Sequence, residues 1–148
     1  MSNSPGCNIK NSIQQDWKDN GPFGLHIHCP EAATPKDGPS AGTAITIAII
    51  SLLTNTKILH NVALTGEIDL NGSVHQIGGL DLKIDGGKFA GVTKILVPQQ
   101  NEQDLAIIKK TKPEILKDIE IIIISNVWDA LEHCLEKNDI QFNNYTWI

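Results

Sequence analysis

The sequence predicts a single α+β, or mixed α/β, domain. Three observations predict it. With 148 residues, 41% hydrophobic and 20% charged, the chain can bury one core and is too short for two ordinary domains. Strand-like and helix-period segments follow one another without a regular βαβ rhythm, and no internal repeat or low-complexity linker interrupts them. Asn71-Gly72 lies between two extended runs, which is the strongest short-range hairpin signal.

Residues 1–24 form a polar segment of the domain, with a short helix expected over 8–17 because Ile9, Ile13 and Trp17 recur at fourfold spacing. Asn20-Gly21-Pro22 ends it. Residues 25–29 alternate and read as a strand stopped by Pro30. A loop with two prolines follows over 31–39. The uncharged stretch 40–53, rich in Ala, Ile and Leu, reads as a buried helix. Extended runs over 62–70 and 74–77 flank Asn71-Gly72. Gly78-Gly79 opens a helix over 80–90 that Gly91 ends. A short strand over 94–97 stops at Pro98, and Asn101 is the expected cap of a helix over 102–109. A helical turn at 113–116, an apolar strand at 119–124 and a last helix capped by Asn126 and running to about Lys137 complete the series. The tail 138–148 carries Phe142, Tyr145 and Trp147.

Several classes are disfavoured. Net charge is −5 with only 12 Lys+Arg, whereas nucleic-acid affinity rests on phosphate contacts, so no nucleic-acid partner is expected. No run reaches the ~18–20 apolar residues of a membrane span, so no membrane partner is expected either. Met1-Ser2-Asn3-Ser4-Pro5-Gly6-Cys7 is unlike a secretory signal. Three cysteines (Cys7, Cys29, Cys134), odd in number and without Cys-x-x-Cys, fit a reducing compartment: cytoplasmic or otherwise intracellular. Cys29 reads most simply as a buried small hydrophobe. His26 and His28 would share one face of a strand. No further ligands follow at zinc-like spacing, so no metal and no cofactor are expected. The pair reads either as a polar pair beside a cleft or as two ordinary hydrogen-bonded histidines.

Chemistry concentrates between residues 30 and 83. Pro35-Lys36-Asp37-Gly38-Pro39-Ser40-Ala41-Gly42 is a rigid loop that delivers a serine to the start of an uncharged helix. Free N–H groups and the positive end of the helix dipole there can hold an anion or a developing oxyanion. The plainer alternative is that Ser40 only caps the helix. The bare G-x-S-x-G pattern at 38–42 is weak, because no strand runs directly into it. In Gly78-Gly79-Leu80-Asp81-Leu82-Lys83 a lysine sits early in a helix. A lysine can serve as base to a serine only when neutral, a state that burial favours. Apolar Leu80, Leu82 and Ile84 are compatible with that; an ordinary surface lysine is the alternative.

These blocks carry a family resemblance. The run from His26 to Gly42 closely resembles the proteolytic domain of Lon proteases. So do Ala63-Leu64-Thr65-Gly66-Glu67-Ile68, Gly72-Ser73-Val74, Gln76-Ile77-Gly78-Gly79-Leu80 leading to Lys83, Val97-Pro98 and Asn101-Glu102-Gln103-Asp104-Leu105. The resemblance covers roughly 25–137, in order and at family spacing. It implies a ribosomal protein S5 domain 2-like fold and a serine endopeptidase with a Ser-Lys dyad, acting on unfolded or flexible polypeptides. Ser40 matches the nucleophile and Lys83 the general base. Thr65 matches a threonine that hydrogen-bonds the dyad lysine. Asp37 matches a loop acid three residues before the serine. His26, His28 and Glu67 match supporting positions. The Ser40 N–H is a candidate oxyanion donor; Pro39 has none, so a second must come from elsewhere. The resemblance also implies an ATPase or unfoldase in trans and a homo-oligomer, hexameric in the family.

Departures accompany the matches. The family usually has Lys-Glu-Lys where this chain has Asp81-Leu82-Lys83. On a helix, Asp81 need not pair with Lys83. Gly86-Gly87 lies inside the expected helix, at roughly 1 kcal/mol per glycine relative to alanine. Ala32 replaces a usual glycine. Only 39 residues precede Ser40, and no phosphate-loop motif occurs, so the expectation is a minimal ATPase-less domain, a trimmed piece or a degenerate relative. The tail aromatics are expected to pack over surface that leading strands cover in the family. The alternative function is a catalytically weak or inactive module that assembles with or regulates another protease. A small-molecule phosphotransferase of related fold is a third reading.

Overall fold

The computed structural model describes residues 19, 24–28 and 38–136. The expected helix over 8–17 and the tail 138–148 lie outside the described residues. The fold below is that of the unit Pro39–Lys137; residues 24–28 belong to a second unit and are described by themselves.

Three parallel strands form the framework, in the order β1 (Val62–Leu64), β4 (Lys94–Pro98), β5 (Glu120–Ile124). Ala63 pairs with Ile95, and Ile95 with Ile121. Central β4 is buried from Ile95 to Pro98, as a parallel strand covered on both faces should be. Parallel neighbours need crossover connections. Helix α2 (Leu80–Phe89) lies between β1 and β4 in the chain, and α3 (Glu102–Thr111) lies between β4 and β5. Leu80, Ile84, Leu105 and Ile108 from these helices pack with Ile95 and Val97 into one core cluster. The βαβ rhythm is therefore present. A small hairpin inserted between β1 and α2 hides it in the sequence.

That hairpin is β2 (Glu67–Ile68) against β3 (Val74–His75), antiparallel, with Glu67 opposite His75. The expected continuous strand over 62–70 splits at Thr65-Gly66. There the Gly66 N–H donates to Ser40 O at 3.0 Å, and Gly66 O accepts from Thr43 N–H at 3.1 Å. Backbone groups committed to the start of a helix cannot continue a sheet ladder. Asp69 organises the turn: Oδ1 accepts the N–H groups of Asn71 (2.8 Å) and Ser73 (2.9 Å), and Gly72 takes φ +82°.

Helix α1 (Gly42–Thr54) ends at Asn55 in the left-handed region, where its N–H reaches the carbonyls of the last turn. Helix α4 (Val127–Cys134) packs on α1, β1 and β5. Its Asn126–Asp129 capping box agrees with the expected cap. Asn101 behaves differently. It stands at the N-terminus of α3 but caps nothing there. Its amide is buried against the backbone of Ile77. The expected strand over 25–29 is also corrected: residues 24–28 are exposed and carry no strand. No ladder partner for them occurs among the described residues, and alternation without a partner does not make a strand.

Candidate active site

Ser40 sits in the turn just ahead of α1 and does not cap it. The capping position is Ala41, with no side-chain cap bond. The Ser40 side chain is used elsewhere: Lys83 Nζ donates to Ser40 Oγ at 3.1 Å across 43 residues of sequence. Lys83 reaches it from the first turns of α2, where Leu80 and Ile84 are sunk in the core at 3% and 0% exposure. Helical spacing turns Lys83 to the outside while its neighbours anchor the helix. The apolar residues around Lys83 therefore do not enclose it. Leu80 and Ile84 face the core, Leu82 faces solvent at 73% exposure, and Lys83 is itself exposed.

Thr65 joins the pair from the end of β1. It is buried, and its hydroxyl donates to Ser40 O at 3.3 Å. The expected bond from Thr65 to the lysine is absent among the described residues; Thr65 holds the serine backbone instead. Together with the Gly66 N–H, two donors converge on the Ser40 carbonyl. Thr43 closes the clamp, its hydroxyl donating to Gly66 O at 2.9 Å. This close approach requires glycine. A Cβ on Gly66 would lie 2.4 Å from Val74 Cγ1 and 2.8 Å from Thr43 Oγ1. In the sequence the only sign of this is a glycine inside the extended run 62–70, where glycine weakens a strand and marks a close backbone approach.

At the start of α1, the Gly42 N–H is taken by Pro39 O and the Thr43 N–H by Gly66 O. The N–H groups of Ser40 and Ala41 have no partner among the described residues. They lie at the positive end of the helix dipole, beside Ser40 Oγ.

Glu67 is exposed on β2 across from His75 and makes no bond to Ser40 or Lys83 among the described residues. His26 and His28 are exposed with stacked rings 6.2 Å apart. Asp37 lies outside the described residues. Asp81 pairs with Lys112 at 2.6 Å rather than with Lys83, and that bond holds its carboxyl below the usual range. His75 Nε2 meets Asp69 at 3.0 Å, and this bond and the Ser73 N–H lower the Asp69 carboxyl. Cys134 is no rival nucleophile: burial pushes its thiol up to about 11, and buried thiols are inert. Among the described residues, no three His, Cys, Asp or Glu side chains converge as a metal site would need. No described helix is long and apolar enough to cross a membrane.

The family model for the Lon protease (S16) C-terminal proteolytic domain matches residues 8–137. A Lon protease homolog of Acanthamoeba polyphaga mimivirus is 41% identical over 138 residues, covering 93% of this chain and 13% of the relative. The Lon protease of Rickettsia bellii is 44% identical over 123 residues, covering 83% of this chain and 15% of that protein. That of Brucella suis is 45% identical over 112 residues, covering 75% and 13%. The matched span is thus a small fraction of each relative's length.

Proposed function

The chain belongs to the Lon protease C-terminal proteolytic domain family, and from that premise we propose that it is a serine endopeptidase working through a Ser40–Lys83 dyad. The observation that carries the reading is the 3.1 Å bond between Lys83 Nζ and Ser40 Oγ. In the reacting state the bond runs the other way. The neutral amine accepts the Ser40 proton while Oγ attacks the peptide carbonyl. The oxyanion of the tetrahedral intermediate is met by the N–H of Ser40, with the Ala41 N–H as the second donor at the helix start. Lys83, now an ammonium, passes its proton to the leaving amine. The Lys83 amine, neutral again, takes a proton from the water that attacks the acyl-enzyme and returns it to Ser40 Oγ as the ester bond breaks. Thr65 and Gly66 serve by fixing the Ser40 backbone, so that Oγ keeps its angle to the base.

In the same reading the substrates are unfolded or flexible polypeptides, delivered by an ATPase or unfoldase. The working form is a homo-oligomer, a hexamer by family resemblance, in an intracellular compartment. The odd number of cysteines, without Cys-x-x-Cys, supports that compartment.

The test is cleavage of an unstructured fluorogenic polypeptide by wild type, Ser40→Ala and Lys83→Ala. Both variants should lose on the order of 10³-fold or more in kcat. Because only a neutral amine accepts the proton, wild-type turnover should rise with pH. Turnover that survives in Ser40→Ala would sink the dyad. A folded wild type with no Ser40-dependent turnover would favour the non-catalytic, regulatory module.

A further inference from the structure

We infer that Asn101 is a positioning residue for Lys83, acting through the backbone of Ile77; the inference rests on the Ser40–Lys83 reading. Asn101 is 1% exposed. Its Oδ1 accepts the Ile77 N–H at 3.0 Å, and its Nδ2 donates to Ile77 O at 2.9 Å. Nδ2 also donates to Asp104 Oδ2 at 2.6 Å, which fixes the amide's orientation from α3. A side-chain amide that closes both polar groups of one residue holds that residue as a ladder partner would. Burial makes the hold strong, because neither group has water as an alternative.

Ile77 is the last anchored residue before α2. It packs in the core cluster with Leu80 and Ile84. The two residues between Ile77 and the helix have no side chain to pack, and of their backbone groups Gly79 O accepts the Lys83 N–H at 3.1 Å as the first bond of the helix. Gly78 and Gly79 are exposed, and a Cβ at either would meet nothing within 4 Å. Gly79 starts α2 in the left-handed region, at φ 65°, with no side-chain cap. The first turn of α2, which carries Lys83, is therefore held at three places, one of them the water-exposed Asp81–Lys112 pair, which is of small worth. Leu80 and Ile84 set its depth in the core. The Asn101–Ile77 anchor resists rotation and sliding about those two side chains. The neighbouring Gln100 Oε1 also accepts the Gln76 N–H at 3.0 Å, but this bond is exposed and exchanges with water. A shift of about 1 Å at a catalytic group can cost 10²-fold in rate. The span from Asn101 to Lys83 Nζ is one through which such a shift would pass.

The test compares the full chain as wild type, Asn101→Ala, Asn101→Asp and Ile124→Val. Ile124 is fully buried in β5 and outside the cluster that holds α2, so Ile124→Val lowers stability without touching the anchor. Asn101→Asp keeps an acceptor for the Ile77 N–H and serves if Asn101→Ala does not fold. Each is assayed on the fluorogenic polypeptide at a temperature where circular dichroism reports it folded. The expected result is a kcat about 10–100-fold lower in the Asn101 variants, with KM within about threefold and a displaced pH–rate profile. Ile124→Val should stay near wild type on all three. Equal losses in the Asn101 variants and Ile124→Val, or an Asn101 profile that overlays wild type, would overturn the inference while leaving the dyad intact. Turnover that survives Ser40→Ala would instead remove the dyad reading. Hydrogen exchange at the amides of 80–84 then decides the anchor: faster exchange in the Asn101 variants than in Ile124→Val upholds it, and equal exchange overturns it.

Discussion

The Gly66 amide donates to the Ser40 carbonyl at 3.0 Å, so the backbone of the serine is fixed from a strand end 26 residues further along the chain. The bond exists because Gly66 lets β1 and the start of α1 come together without a side chain between them. Gly66→Ala should therefore push Val74 and Thr43 aside, at a cost of about 1–3 kcal/mol as in other overpacked sites. Urea unfolding should show the loss as a lower midpoint. Peptidase turnover should fall further than the unfolded fraction explains. A Gly66→Ala protein with the wild-type midpoint would mean that the contact relaxes freely.

Thr65 offers a sharper distinction. Its hydroxyl addresses the carbonyl of Ser40, not the amine of Lys83. Thr65→Val keeps the shape and removes one neutral hydrogen bond, which is worth about 1 kcal/mol. Turnover should drop about tenfold, and Thr65→Ser should restore it. A loss in Thr65→Val as complete as in Lys83→Ala would place the hydroxyl on the amine in the working state.

The paired glycines of α2 are not equivalent. A Cβ on Gly86 meets nothing within 4 Å, whereas one on Gly87 meets Ile95 Cδ1 at 3.1 Å. Gly86→Ala should stabilise the fold by about 0.5–1 kcal/mol, because alanine loses less backbone freedom in a helix interior. Gly87→Ala should gain less, since Ile95 must give way. Thermal melts of the two single variants measure the difference. A larger gain at Gly87 would contradict the close approach of α2 to β4.

The cap of α4 makes stability depend on acid. Burial pushes the Asp129 carboxyl up, but bonds from Ser125 and Asn126 outweigh it and hold the group below its ordinary value. With the folded pKa below the unfolded one, the contribution is complete above the unfolded value of about 3.9 and fades as pH falls through the folded one. Asp129→Asn should lower the melting midpoint at pH 7, and the gap to wild type should narrow as pH falls below the unfolded value. Asn126→Ala, which removes the acceptor for two helix N–H groups, should cost about 1 kcal/mol. A gap between Asp129→Asn and wild type that does not narrow at all between pH 7 and the most acid pH at which both fold would assign the cap's effect to shape rather than charge.

Local chemistry carried much of the fold. The uncharged stretch 40–53 reads as a helix, observed as Gly42–Thr54, Gly91 as the end of α2, Pro98 as the end of β4, and Asn126 as a cap, because each depends on a residue and its near neighbours. The parallel sheet was harder to see, since a hairpin interrupts the βαβ rhythm between β1 and α2. Polar residues with a local use and a distant one were the least legible. Asn101 has the sequence of a helix cap and bonds Ile77 instead, 24 residues away.

From its residues alone the chain declared its family blocks, the order of its elements, and Ser40 and Lys83 as the pair to watch. Periodicity and capping signals act over a few residues, so they fix no direction in space. Only the folded chain decided that Lys83 Nζ reaches Ser40 Oγ, that the Thr65 hydroxyl turns to a carbonyl, and that Gly66 is the point of closest approach. Those bonds join groups 25 to 43 residues apart, and their partners are chosen by how buried helices and strands pack.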